Sequence, residues 1–115
     1  MHLSELPSLE DPAITRTLAY WVARWDWECP TLFGLERDDL QWVVANWPRC
    51  LKSNESLTAL AIHGAFRELL YGASRPSLTT LPTHLGMSHG EVVTLFNAIA
   101  PHLLSAAESS LVSDA

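Results

Sequence analysis

The stretch Ser77–Ala100, SLTTLPTHLGMSHGEVVTLFNAIA, decides how the chain is read. Leu78, Leu81 and Leu85 recur at helical spacing. Gly86 follows them and suits the left-handed backbone of a helix C-cap. Ser88, with Glu91 three residues later, forms a capping box that starts the next helix. Val92, Leu95, Phe96 and Ile99 then make an apolar stripe. The pattern predicts two short helices around a tight turn, with the apolar skeleton of a helix-turn-helix. The polar residues argue against DNA. Contacts to phosphates and base edges come mainly from Arg and Lys, and neither occurs after Arg75. The second helix offers His89, Glu91, Thr94 and Asn97, and Pro82 stands in the first helix where such motifs place a small residue. With no cation to neutralise a phosphate, the stretch reads as a helical hairpin used for packing, and no nucleic-acid partner is expected.

Upstream, the same logic finds three more helices. Asp11 is an N-cap with Pro12 at the first helical position. The helix it opens runs to about Asp26, with Ile14, Leu18, Trp21, Val22 and Trp25 on its apolar stripe. Arg16 and Arg24 are left to water or a partner. Glu28–Gly34 is a connector broken by Pro30 and Gly34, in which Leu32 and Phe33 either plug the end of the core or form part of a binding edge. A second helix spans about Glu36 to Trp47, with Asp38 and Asp39 at its positive end. Leu40, Val43, Val44 and Trp47 form its stripe, Trp42 lies off it, and Pro48 stops it. After a link over Arg49–Lys52, Ser53 or Asn54 caps the longest helix, through Tyr71. That helix is apolar around much of its circumference, the mark of a central element. Its Ala61, Gly64 and Ala65 make a ridge on which another helix can lie closely. Pro101 is expected to kink or restart the chain, and Ala100–Leu111 forms a last helix bearing Leu103, Leu104 and Ala107. No strand pattern and no repeat occur.

The expected fold is all-α: a compact single domain of five or six helices with a helix-turn-helix-like hairpin near the C-terminus. Residues 11–111 form the domain, 1–10 a flexible leader that frays or wraps it, and 112–115 a loose tail. No secretory signal or membrane span is visible, so a cytoplasmic protein is expected. Cys29 and Cys50 fit a reducing compartment as buried thiols.

The 115 residues carry a net charge of −6, and all seven Lys and Arg lie between Arg16 and Arg75. That balance disfavours nucleic acid and anionic membranes as partners. No catalytic, metal-binding or cofactor-binding set emerges, and no small-molecule substrate is expected. His84 and His89 lack a completing ligand, His63 sits among apolar residues, and adjacent carboxylates on a helix do not share a face. A protein partner remains. Trp, Tyr and Arg dominate interface energy, and Arg16, Tyr20, Arg24, Trp27 and Trp42 supply them off the apolar stripes. The Ala61, Gly64 and Ala65 ridge is the candidate for self-association as a homodimer.

The segment Leu3–Pro30, LSELPSLEDPAITRTLAYWVARWDWECP, together with the size, the helical reading and the acidic, Trp-rich composition, resembles the Pseudomonas quorum-sensing anti-activators. The resemblance covers the whole chain. It implies a dimeric helical protein that binds a LuxR-type transcriptional regulator, LasR, and blocks its action on DNA. It assigns no contact residues. Other classes compatible with the same residues are a degenerate helix-turn-helix module of a transcription complex and a small immunity or adaptor protein.

Overall fold

The computed structural model describes residues 2–72, 75–77 and 80–113, with the backbone alone over 108–113. Among these the regular structure is entirely helical, without strands. Two 3-10 turns, Leu3–Glu5 and Pro7–Glu10, precede seven α-helices: α1 Pro12–Ala23, α2 Cys29–Phe33, α3 Arg37–Ala45, α4 Cys50–Ser53, α5 Glu55–Tyr71, α6 Leu81–Leu85 and α7 His89–Ser113. The radius of gyration is 13.3 Å, about the value of a chain this long packed as one body. No helix is long and apolar enough to cross a membrane among the described residues.

The helix starts follow local chemistry. The Asp11 carboxylate accepts from Ala13 N at 2.9 Å and opens α1. The Asp39 side chain reaches back to Glu36 N at 3.0 Å and opens α3. The Asn54 side chain accepts from Leu57 N at 3.3 Å and opens α5. Ser88 and Glu91 exchange bonds of 3.3 and 3.1 Å ahead of α7, the capping box expected there. Each satisfies N–H groups that a helix leaves orphaned. Two of the ends are set by glycine. Gly34 and Gly86 both sit at φ 73°, closing α2 and α6.

The centre is α5. Thr58, Ala59, Ala61, Ile62, Gly64, Ala65, Phe66, Leu69 and Leu70 are buried along it, and α1, α2, α3, α4 and α7 all pack on it. The Trp21 indole of α1 donates to the Ala65 carbonyl of α5 at 2.8 Å. Phe33 of α2 lies over Gly64 so closely that a Cβ there would stand 3.0 Å from the ring. On the opposite side Phe66 stacks on Phe96 of α7, with ring centroids 6.1 Å apart.

Several expectations are corrected. Seven α-helices replace five or six, because the connector Glu28–Gly34 and the link Arg49–Lys52 each contain a short helix. Conversely, α7 continues through Pro101 and does not restart there. Its buried residues Val92, Phe96, Ile99, Leu103 and Ala106 continue one stripe past the proline, which sits on the exposed side. A missing N–H there leaves its carbonyl partner within reach of water, so packing outweighs the intrinsic cost of about 3 kcal/mol. The hairpin halves do not chiefly face one another: α6 packs on α1 and α7 on α5. Leu78, expected in the first of those helices, and part of the expected tail, residues 114 and 115, lie outside the described residues. The leader wraps the domain. Leu3 and Leu9 are buried, and Leu3 N donates to the Glu55 carboxylate at 2.8 Å. The Trp47–Pro48 peptide is cis.

The Ala61, Gly64 and Ala65 ridge is buried inside the monomer. It does allow a close approach, but by Phe33 and Trp21 of the same chain, so it offers a second copy no surface.

Two outcomes follow from this packing. Gly64→Ala should lower Tm by several degrees, because Phe33 is wedged between Trp21 and Trp25 and cannot yield. Overpacking of about 1–3 kcal/mol outweighs the helical gain of about 1 kcal/mol. Gly90→Ala, with nothing within 4 Å of its new methyl, should leave Tm unchanged or raise it; equal effects in thermal melts would refute the close contact. The second outcome concerns His63, half-buried on Phe96 at 5.4 Å. Burial first, and the Arg67 charge second, hold its pKa below the ordinary value. The unfolded chain therefore binds the proton first as pH falls below about 6.5. Stability should drop across that range, and His63→Gln should flatten the slope in Tm measured against pH.

Candidate protein-binding surface

Of the residues proposed for a partner, Arg16 and Tyr20 lie within α1, Arg24 and Trp27 at the turn that follows it, and Trp42 within α3. Arg24 caps α1 and lies over the Tyr20 ring, with 4.1 Å to the centroid, a cation–π contact. Beyond it Asp26 shapes the turn. Its carboxylate accepts from Glu28 N at 2.9 Å and from the Cys29 thiol at 3.4 Å. The turn sends alternate indoles in opposite directions. Trp25 goes in, its ring 5.1 Å from Phe33. Trp27 goes out and is 85% exposed. In α2, Phe33 plugs the core as expected while its neighbour Leu32 is 41% exposed. Arg37, at the first turn of α3, donates to Val22 O at 3.2 Å and ties that helix to the end of α1. Trp42, on α3, is 37% exposed.

The five candidate residues therefore separate. Trp27 and Trp42 are accessible, and Arg24 is exposed above Tyr20. Tyr20 is not a surface residue. It is only 9% exposed and packs edge-on against Trp21 and His84, each 5.2 Å away. The cause is α6, which lies on α1 and covers that face. Arg16 is exposed but committed: its guanidinium donates to Leu85 O at 2.9 Å and caps α6. Leu32 joins the accessible apolar residues, so of the two readings given for Leu32 and Phe33 the core plug holds for Phe33 alone. Leu32 and Phe33 are adjacent in a helix, so only one can face the core; the single helical turn between Pro30 and Gly34 was the available signal.

Burial pushes the Cys29 thiol up, helped by the Asp26 carboxylate, and burial likewise raises Cys50. Both are free and buried, which keeps them in the unreactive thiol form. Among the described residues no three His, Cys, Asp or Glu side chains gather where they could hold a metal. Comparison with known proteins finds no matching family model, no matching curated protein and no matching solved structure.

The contrast between the indoles is testable by stability alone. Trp27→Ala should leave Tm within about 2 °C, since its ring has little to lose on truncation. Trp21→Ala removes a buried ring and its hydrogen bond and should cost about 3–5 kcal/mol. Comparable losses in paired thermal melts would place Trp27 in the core.

Proposed function

We propose that the chain is a regulatory protein-binding module that inhibits a LuxR-type quorum-sensing activator by direct contact, as the resemblance to the Pseudomonas quorum-sensing anti-activators implies. The observation that supports this reading is the outward Trp27. A large apolar ring held 85% exposed on a shaped turn has no folding role, and indoles are the commonest interface anchors. Leu32 on α2 and Trp42 on α3 are further exposed apolar residues, and Arg24 is an exposed cation three residues before Trp27.

The mechanism needs no chemistry. A LuxR-type activator reads a two-fold operator as a dimer. A protein that binds the activator protomer or its DNA-binding face withdraws it from the operator by mass action. The acidic surface favours a basic target, and DNA-binding faces are basic. An inhibitor of this kind carries no cations for DNA itself, consistent with the absence of Lys and Arg after Arg75. Self-association belongs to the same proposal. It would use exposed residues, since the Ala61–Ala65 ridge is filled.

Titration of the purified chain into LasR, read by calorimetry, tests the proposal. Binding should be saturable and should lower operator occupancy in parallel. Trp27→Ala should weaken it by about thirtyfold, the equivalent of about 2 kcal/mol, at unchanged Tm. No binding by the wild type would remove LasR as the partner. Unaltered binding by Trp27→Ala would move the contact off this turn.

A further inference from the structure

The basic residues are few, and nearly all have a structural duty. Of the seven Lys and Arg, four donate to carbonyls at or just beyond helix C-termini, where a cation meets the negative end of the dipole. Arg16 caps α6 at Leu85 O, Arg37 caps α1 at Val22 O, and Arg67 caps α2 at Leu32 O. Arg75 donates to Gly72 O beyond α5. A fifth, Arg24, lies on the Tyr20 ring. Seven less five leaves Arg49 and Lys52. Neither side chain has a hydrogen bond or ion pair among the described residues, and both are exposed.

These two cations line one cleft. It lies between the wrapped leader and the α3–α4 link and encloses about 510 Å³. Its apolar lining comes from Leu6 and Leu9 of the leader and from Trp47 and Leu51 across it. Such a volume suits a small ligand. The leader wall is held in place by buried Leu3 and Leu9 and by the Leu3–Glu55 hydrogen bond. One carboxylate, Glu10, also lines the cleft. Within this lining two cations face one carboxylate, and Lys52 also borders an adjoining cleft that Glu5 and Glu55 line.

We infer that this cleft binds a small amphipathic monocarboxylate, with its aliphatic body on Leu6, Leu9, Trp47 and Leu51 and its carboxylate between Arg49 and Lys52. The guanidinium fork supplies two parallel donors to one carboxylate, and the ammonium a further point charge. The site is a ligand site, without a reaction assigned to it. It stands independently of the protein-binding proposal, because the Trp27 turn contributes no residue to it.

The test is a ¹H–¹⁵N NMR titration of the full chain with sodium decanoate, kept below its micelle-forming concentration. Saturable shifts are expected at the Leu6, Leu9 and Leu51 amides and the Trp47 indole. The double variant Arg49→Gln, Lys52→Gln should bind about tenfold more weakly or worse, with unchanged Tm because neither side chain has a partner to lose. Arg24→Gln should bind like the wild type. Acetate, lacking the body, and decan-1-ol, lacking the charge, should each bind about tenfold more weakly or worse. Equal affinity for decan-1-ol or for the double variant would show that the head is not read and would overturn the site. Shifts confined to Trp27 and Trp42 would mean adsorption on exposed rings and would overturn it equally, as would a titration without saturation.

Discussion

A single buried hydrogen bond organises the fold: the Trp21 indole on the Ala65 carbonyl. An indole N–H taken out of water needs a partner, or it costs about 1–3 kcal/mol. Here the partner is a backbone carbonyl inside a helix, whose second lone pair is otherwise unused. Reaching it requires α1 to lie almost on the α5 backbone. That in turn requires small residues at 61, 64 and 65. The small face then admits Phe33 over Gly64, and Phe33 brings Trp25 with it. The aromatic cluster, the position of α2 and the course of the turn between α1 and α2 all descend from that one contact. The outward Trp27 lies on that same turn, two residues beyond the Trp25 that packs on Phe33.

A second constraint is charge. An acidic chain with seven α-helices among its described residues has many negative helix ends to neutralise and few cations for the purpose. It spends most of them locally, on the carbonyls that close α1, α2, α6 and the turn after α5. This also joins elements distant in sequence: Arg16 links α1 to α6, Arg37 links α3 to α1, and Arg67 links α5 to α2. The same residue type thus does the work of loop contacts. Arg24 lies instead on the Tyr20 ring, and among the described residues the side chains of Arg49 and Lys52 make no hydrogen bond or ion pair.

The candidate surface was legible in part. Trp27 and Trp42 fall off the helical stripes of their segments, and both are accessible. Tyr20 falls off the stripe as well, yet it is buried. The difference is α6, whose place on α1 is set by residues more than sixty positions away and leaves no trace in the pattern around Tyr20. The Ala61, Gly64 and Ala65 ridge was legible as a surface for close approach. That the approaching group was Phe33 of the same chain was not, because a stripe of small residues is equally suited to a neighbour or to a second copy.

What the sequence determined by itself is local: an all-helical chain, the starts of α1, α5 and α7 at Asp11, Asn54 and Ser88, the stop at Gly86, and α5 as the central helix. Capping bonds span two or three residues and apolar stripes a few turns, so both are written in adjacent letters. The tertiary structure decided the rest. It joined two expected helices into α7, because one buried stripe against α5 outweighs the bond lost at Pro101. It folded Cys29–Phe33 and Cys50–Ser53 into single turns that would be marginal alone. It drew the leader onto the domain through Leu3 and Leu9, two residues too short in pattern to announce a partner. Burial is a property of pairs of elements, and the chain names only one member of each pair at a time.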